Sequence, residues 1–157
     1  MRHFAQFDAR RVPSPCFVVD EVALEENLQL LAQVQRESGA KILLALKAFS
    51  MFSMAPLVRR YLAGTCASGL HEARLGREEF GGEVHTFCAA FTEPDLREVL
   101  ALSDHVVFNS FGQLGRFRPL LEAALAARPG LRIGLRVNPE HSEGAVPLYD
   151  PCAPCSR

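Results

Sequence analysis

Residues 41–49 read KILLALKAF, and this stretch decides the expected fold. The segment 41–46 is nearly all apolar, which is the pattern of a strand buried on both faces of a parallel sheet. The polar residue that ends the apolar run is Lys47. The sequence therefore predicts a buried strand that ends at a lysine.

The same alternation of apolar runs and amphipathic segments extends to both sides. Upstream, a short strand is predicted at residues 16–19, and Asp20 and Gly39 are expected to cap a helix over residues 21–38. Downstream, we expect strands that begin near residues 65, 83, 104 and 131, separated by helices at residues 55–63, 68–79, 92–102 and 111–127. Strands that alternate with helices of this length indicate βα units and a parallel sheet.

Two α/β architectures fit this pattern, a doubly wound open sheet and a βα barrel of the TIM type, and periodicity does not separate them. Five βα-type strands follow residues 16–19. A complete eight-stranded barrel needs about 250 residues, whereas this chain has 157. In the barrel interpretation, residues 1–157 are expected to form the N-terminal part of a barrel that stops after about five strands.

Composition excludes several classes of function. The 17 basic and 18 acidic residues give a net charge of −1 without a basic cluster, so we expect no nucleic-acid partner. No apolar run reaches the roughly 20 residues that cross a bilayer, and residues 1–11 lack the apolar core of a secretory signal. We expect no membrane association and a cytoplasmic location.

The cysteines and histidines give little indication of a metal. Five scattered cysteines do not resemble a disulfide framework, and the single Cys152-x-x-Cys155 pair lacks the second pair of ligands that zinc needs. The histidines show no HxxxH spacing, and His85 and His105 are interpreted as structural residues within strands. No metal is expected.

Lys47 is the candidate for chemistry, because reactive groups gather where parallel strands end. A lysine leaving an apolar strand can lose solvation, which lowers the pKa of its amine and makes it a nucleophile toward carbonyls. The alternative is an ordinary solvated lysine at a strand end. Position alone does not decide between them.

Several segments, taken together, resemble the alanine racemase-like decarboxylases that use pyridoxal phosphate. SPCFVVD (residues 14–20) resembles the opening of these proteins, and KILLALKAF resembles the strand with the cofactor-binding lysine. TCASGLHE (residues 65–72), HVVFNS (105–110) and LRVNP (135–139) resemble later strand ends. ALKAFS (45–50), EEFGGEVHT (78–86), VFNSF (107–111) and YDPCAPCSR (149–157) are similar to the carboxynorspermidine decarboxylase branch.

The resemblance implies a βα barrel followed by a β domain, in a homodimer with its active site between subunits. It implies pyridoxal phosphate as cofactor, covalently bound by Lys47, with Arg136 and Arg157 as basic residues near it. The implied reaction is decarboxylation of carboxynorspermidine or carboxyspermidine in polyamine biosynthesis. The family's ring-stacking histidine, its phosphate-binding segment and its β domain are expected beyond residue 157, so the chain alone is expected to be inactive.

Two other functions remain open at this point. A one-domain pyridoxal-phosphate carrier protein also combines a barrel with a strand-end lysine, although it closes the barrel within its own length. A non-enzymatic α/β binding module would contain an incidental lysine.

Overall fold

The computed structural model describes residues 7–146 and 150–152, and its described part is built on a five-stranded parallel sheet. Each strand pairs with the next one along the chain, so the order across the sheet is the order in the sequence. The strands are β1 (Leu43–Ala45), β2 (Gly64–Ala67), β3 (Glu83–Phe87), β4 (His105–Phe108) and β5 (Arg132–Leu135).

Helices connect the strands and precede the first one. They are α1 (Glu21–Ser38), α2 (Ala55–Val58), α3 (Leu70–Leu75), α4 (Glu93–Leu102), α5 (Phe111–Arg116) and α6 (Arg118–Ala127). Short 3₁₀ turns cover Ala9–Arg11 and Phe52–Met54, and a π-helical turn over Gly76–Phe80 continues α3. No helix in the described ranges combines the length and apolarity needed to span a membrane.

The sheet topology decides between the two architectures that the sequence left open. A doubly wound sheet reverses its strand order at a switch point and carries helices on both faces. Here the order runs from β1 to β5 without reversal. The buried strand side chains that form the cores, such as Ala67, Val84, Val106 and Phe108, alternate with half-buried ones and share one face of the sheet. The fold is therefore an arc of a βα barrel, with helices packed on one face only.

Helix α1 has the boundaries that its capping residues predict. The Asp20 carboxylate accepts hydrogen bonds from the N–H groups of Val22 and Ala23, at 3.0 and 3.1 Å. At the other end, Gly39 adopts a left-handed φ of 72° and donates its N–H to Gln35 O. Since both ends are fixed by local chemistry, the prediction of this helix is confirmed.

Several local expectations are wrong. The helix expected at residues 55–63 ends at Val58, because the next N–H groups, those of Arg60 and Tyr61, bond three residues back as in turns. Residues 16–19 form no strand, and Phe17 is 95% exposed, because this run has no hydrogen-bonded neighbour in the described sheet. The helix expected at 111–127 is broken at Phe117, because Pro119 lies in the first turn of α6 and cannot supply the N–H that a continuous helix needs. Ser68 caps no helix: Gly69 precedes α3, and the Ser68 N–H donates to Glu72 Oε2 at 2.8 Å.

Strands β2 and β3 approach so closely that position 64 requires glycine. A Cβ atom built on Gly64 would lie 1.9 Å from the carbonyl oxygen of Glu83. Because that contact is with backbone, neither strand could relieve it by rotating a side chain. The pairing of these two strands therefore depends on the missing side chain.

Asp104 joins strand β3 to the helical layer. Its Oδ2 accepts hydrogen bonds from the Val84 N–H at 2.9 Å and from Arg77 Nη2 at 2.6 Å, and Arg128 lies 3.7 Å from Oδ1. Burial, the largest single influence, raises the pKa of Asp104, but the hydrogen bonds from Val84 and Arg77 and the charges of Arg77 and Arg128 together lower it. The carboxylate is therefore more acidic in the folded chain than in the unfolded chain.

We expect Asp104→Ala to lower the free energy of unfolding by about 1–3 kcal/mol at neutral pH, because a hydrogen-bonded charge is lost and its donors lose their acceptor. Since the folded-state pKa is depressed, this contribution is present above the unfolded pKa of about 3.9 and is lost as pH falls through the folded value. Urea denaturation at neutral pH and below about pH 3 measures the difference. Glu26→Ala, at an exposed position of α1, is the control, and an equal loss in both variants would contradict the assignment.

Candidate active site at the carboxyl ends of the strands

Lys47 lies in a tight turn that closes directly after β1. The N–H groups of Ala48 and Phe49 both donate to Ala45 O, at 3.0 and 3.1 Å. The preceding residue, Leu46, is 2% exposed, and its N–H donates to Cys66 O on β2. This anchor holds the turn against the sheet while Lys47 itself stays exposed.

The ammonium group of Lys47 is available for chemistry. No hydrogen bond or ion pair within residues 7–146 and 150–152 engages it. Lys41 differs, because its ammonium group pairs with the Glu83 carboxylate. These two are the only lysines in the sequence. Among the described residues, one lysine amine is therefore engaged and the other has no partner.

An apolar cleft opens beside the Lys47 turn. It has a volume of about 510 Å³ and is lined by residues 17–19 and 48–53. Its walls include three phenylalanines, Phe17, Phe49 and Phe52, and Phe17 and Phe52 are exposed to solvent at 95% and 58%. An aromatic ligand attached at Lys47 would find apolar surface at this point.

Arg136 follows the last strand, at the opposite edge of the sheet from Lys47. Its N–H donates to Phe108 O at 2.8 Å, which continues the ladder between β4 and β5. Its guanidinium donates to Asn109 Oδ1 at 3.4 Å and to the carbonyl oxygen of Pro151. The structure therefore brings Arg136 and Asn109 together at the carboxyl end of the sheet, but it places Lys47 and Arg136 after different edge strands. Arg157 lies outside the described residues.

Other polar residues near the strand ends have structural roles. Thr86 is fully buried, and its hydroxyl pairs with that of Ser103 at 2.8 Å. Ser110 accepts the Gln113 N–H at 3.2 Å and caps α5, as predicted. Thr65 is 1% exposed, on the face that the helices cover. These three side chains therefore belong to the core or to helix ends.

Comparison with known proteins identifies relatives that are similar to this chain in sequence. No family model matches the chain. It is 42% identical over 146 residues, 93% of its length, to a carboxyaminopropylagmatine decarboxylase of Synechocystis. It is 40% identical, again over 93% of its length, to a carboxynorspermidine/carboxyspermidine decarboxylase of Herminiimonas arsenicoxydans. Over nearly all of its length, this chain is similar to the carboxynorspermidine decarboxylases.

A solved carboxynorspermidine decarboxylase from Campylobacter jejuni, in complex with norspermidine, has the same fold over the shared region. The TM-score is 0.75 at 37% identity, and the match covers 86% of this chain and 35% of that one. The chain spans 36% and 38% of the lengths of the two curated decarboxylases. The family resemblance and the partial βα barrel expected from the sequence are thus confirmed, over a region of about a third of a carboxynorspermidine decarboxylase.

The sequence patterns missed one cluster of polar residues, and it lies outside the region of Lys47. Glu83, His85 and His105 come together on the face of the sheet that no helix covers. No HxxxH spacing marks them, because their proximity depends on the register between two strands. The detectable signal is Glu-x-His within β3, which places both side chains on one face of a strand.

Proposed function

We propose that the protein containing this chain is a pyridoxal-phosphate-dependent decarboxylase that converts carboxynorspermidine or carboxyspermidine to norspermidine or spermidine, with Lys47 binding the cofactor. One observation carries the proposal. The chain is similar over 93% of its length to such a decarboxylase, and its lysine at the expected strand end is exposed and engaged by none of the described residues. A pyridoxal-phosphate carrier or a non-enzymatic binding module would not require both the similarity to decarboxylases and the exposed lysine.

The residues near Lys47 fit the cofactor. An imine with the pyridoxal aldehyde requires an accessible primary amine, and Lys47 offers one in a turn held by two backbone hydrogen bonds. The cleft lined by residues 17–19 and 48–53 offers an aromatic ring an apolar surface. Arg136, which contacts Asn109 and Pro151, supplies a positive charge at the same carboxyl end of the sheet, but after the opposite edge strand.

When bound, pyridoxal phosphate supplies the electron sink for the pair of electrons left by departing carbon dioxide. Lys47 would hold the cofactor through its amine and would yield it to the substrate amine. The backbone of the turn that carries Lys47 is anchored to β2 by Leu46. Arg136, and Arg157 beyond the described residues, would complement anionic groups of the cofactor or of the substrate.

A second substrate is favoured by one specific observation. The relative that is 42% identical is named for carboxyaminopropylagmatine, and the relative that is 40% identical is named for carboxynorspermidine and carboxyspermidine. Both names describe a carboxylated aminopropyl chain, and the substrates differ at the far end of the molecule. All three compounds would undergo the same decarboxylation, so their kcat/KM values can be compared directly. The compound with the highest value would be assigned as the substrate.

The proposal also concerns the length of the polypeptide that contains this chain and its oligomeric state. We propose that residues 1–157 are the N-terminal part of the barrel, with further strands and a β domain encoded after them. We also propose that the complete protein is a cytoplasmic homodimer. Sequencing the reading frame beyond the codon for Arg157, and sedimentation analysis of its product, test these statements.

Reductive trapping tests Lys47 directly. After incubation with pyridoxal phosphate and reduction with borohydride, we expect a single stable adduct on the peptide that contains Lys47, located by mass spectrometry. We expect no adduct at Lys41, because its ammonium group is paired with Glu83. The sequence makes the experiment simple, since these are the only two lysines.

Lys41→Arg is the matched control, because it keeps the positive charge beside Glu83 and removes the other lysine. The adduct should be unchanged in this variant. Equal labelling of Lys41 and Lys47 in the parent protein would instead support a non-enzymatic module with an incidental lysine. Specific labelling of Lys47 without decarboxylase activity in the complete protein would support a pyridoxal-phosphate carrier.

A further inference from the structure

The uncovered face of the sheet carries a row of polar side chains that the proposed decarboxylation does not use. The register aligns Cys66 on β2 with His85 on β3 and His105 on β4, followed by Arg132 on β5. Glu83 lies two residues before His85 and therefore on the same face. The sheet thus concentrates two imidazoles, a carboxylate and a thiol in one short region.

Two imidazoles and one carboxylate converge at the centre of this row. The rings of His85 and His105 stack with centroids 3.9 Å apart and an angle of 22° between their planes. His85 Nε2 lies 3.0 Å from Glu83 Oε2. One ligand-type atom from each of the three residues falls within 4.8 Å of the others.

We propose that Glu83, His85 and His105 bind a divalent transition-metal ion of the zinc type. Zinc holds imidazole nitrogen and carboxylate oxygen at about 2.0–2.2 Å, so ligand atoms of a tetrahedral site lie about 3.4 Å apart. Binding therefore requires the three side chains to move closer together and the two stacked imidazole rings to turn toward a shared point. Two histidines with one carboxylate is a ligand set found in zinc sites that keep an open coordination position.

The ionisation of these groups suits a cation. Glu83 is ionised near neutral pH, because hydrogen bonds from Lys41 and then His85 lower the pKa of its carboxyl group. Burial, followed by the charge of His85, lowers the pKa of His105, so its imidazole is neutral and can act as a ligand. Cys66 is not among the residues whose ligand atoms lie within 4.8 Å of one another. The proposed ligand set therefore consists of three residues.

Two positive charges compete with a metal ion at this site. Lys41 pairs with Glu83 and must share or release the carboxylate when the ion binds. Arg132 follows His105 in the row and repels a cation. Removing the Lys41 charge should therefore tighten metal binding. A variant that had only lost its structure would bind the ion more weakly.

The test is calorimetric titration with Zn²⁺ of the complete protein that contains this chain, in a background where serine replaces Cys152 and Cys155 so that the CxxC pair cannot contribute. We expect one saturable site. His85→Gln and His105→Gln should each weaken binding at least about tenfold, since even changes outside the ligand shell cost metal sites about 10- to 100-fold. His71→Gln, at an exposed position of α3, is the matched control and should bind like the parent.

Lys41→Gln is the second variant, and we expect it to bind Zn²⁺ more tightly than the parent. The visible spectrum of the Co²⁺-substituted chain should show nitrogen and oxygen ligation without a thiolate charge-transfer band. Absence of saturable binding, or undiminished binding by both histidine variants, would overturn the site. If a histidine variant lost its fold, the Zn²⁺ affinity of Lys41→Gln would decide. An affinity equal to that of the parent would overturn the proposed site.

Discussion

Replacing Lys47 with alanine is expected to abolish release of carbon dioxide from carboxynorspermidine by the complete protein that contains this chain. In the proposed function, the amine would be both the attachment point of the cofactor and the group that the substrate amine displaces. Loss of one positioned proton-transfer group alone costs about 10²–10⁴-fold in rate, and here the nucleophile is lost as well. We therefore expect kcat to fall by at least about 100-fold, measured as product formed at saturating substrate and cofactor.

Lys47→Arg separates this role from simple charge. The guanidinium keeps a positive charge at the end of β1 but remains protonated, so it forms no imine with an aldehyde. We expect it to be as inactive as Lys47→Ala, while Lys41→Arg retains activity. Activity near the parent level in Lys47→Arg would show that the position requires only a cation, and the assignment of Lys47 would then be wrong.

The second large effect is expected in the core, where Phe108→Ala should lower the free energy of unfolding by about 3–5 kcal/mol. Phe108 is fully buried on β4, and its ring meets that of Phe91 edge-on, with centroids 5.4 Å apart. Truncation removes apolar surface from the core and leaves a cavity that the sheet cannot close by itself. Because small domains have only about 5–15 kcal/mol of stability, the loss is a large share of the total.

The matched control for this prediction is Phe111→Ala, three residues further along. Phe111 is 77% exposed in the first turn of α5, so its truncation should change stability by less than about 0.5 kcal/mol. Urea denaturation of both variants measures the difference. Equal shifts of the two midpoints would mean that Phe108 is not the core residue that its burial indicates.

The parts of the fold that depend on neighbouring residues were predictable from the sequence. Asp20 and Gly39 define α1 through hydrogen bonds within a few residues. Apolar runs locate β1 to β5 within a few residues. The expected burial of residues 41–46 on both faces is wrong, since Leu43 and Leu44 are half-buried and Ala45 is exposed on β1 at the edge of the described sheet. The position of Lys47 at a strand end follows from the run before it. Its role as the cofactor lysine is still a prediction, since it rests on the resemblance.

The parts that depend on distant residues were not predictable. Periodicity does not distinguish a barrel from a doubly wound sheet, because both use the same βα units and differ only in strand order. Residues 16–19 have the composition of a strand but lack a partner in the described sheet. The contact between His85 and His105 depends on the register between β3 and β4. No spacing within the sequence encodes that register.

The unbroken strand order has a consequence for how the chain reaches its fold. Since each strand pairs with the next one to be synthesised, every sheet contact closes a loop that contains only the intervening helical connection. The entropy cost of closing such loops is modest, and topologies with near-neighbour contacts fold faster than those with distant strand pairing. Each βα unit can therefore add to a template already formed by the units before it, so that the sheet grows from β1 toward β5 as the chain leaves the ribosome.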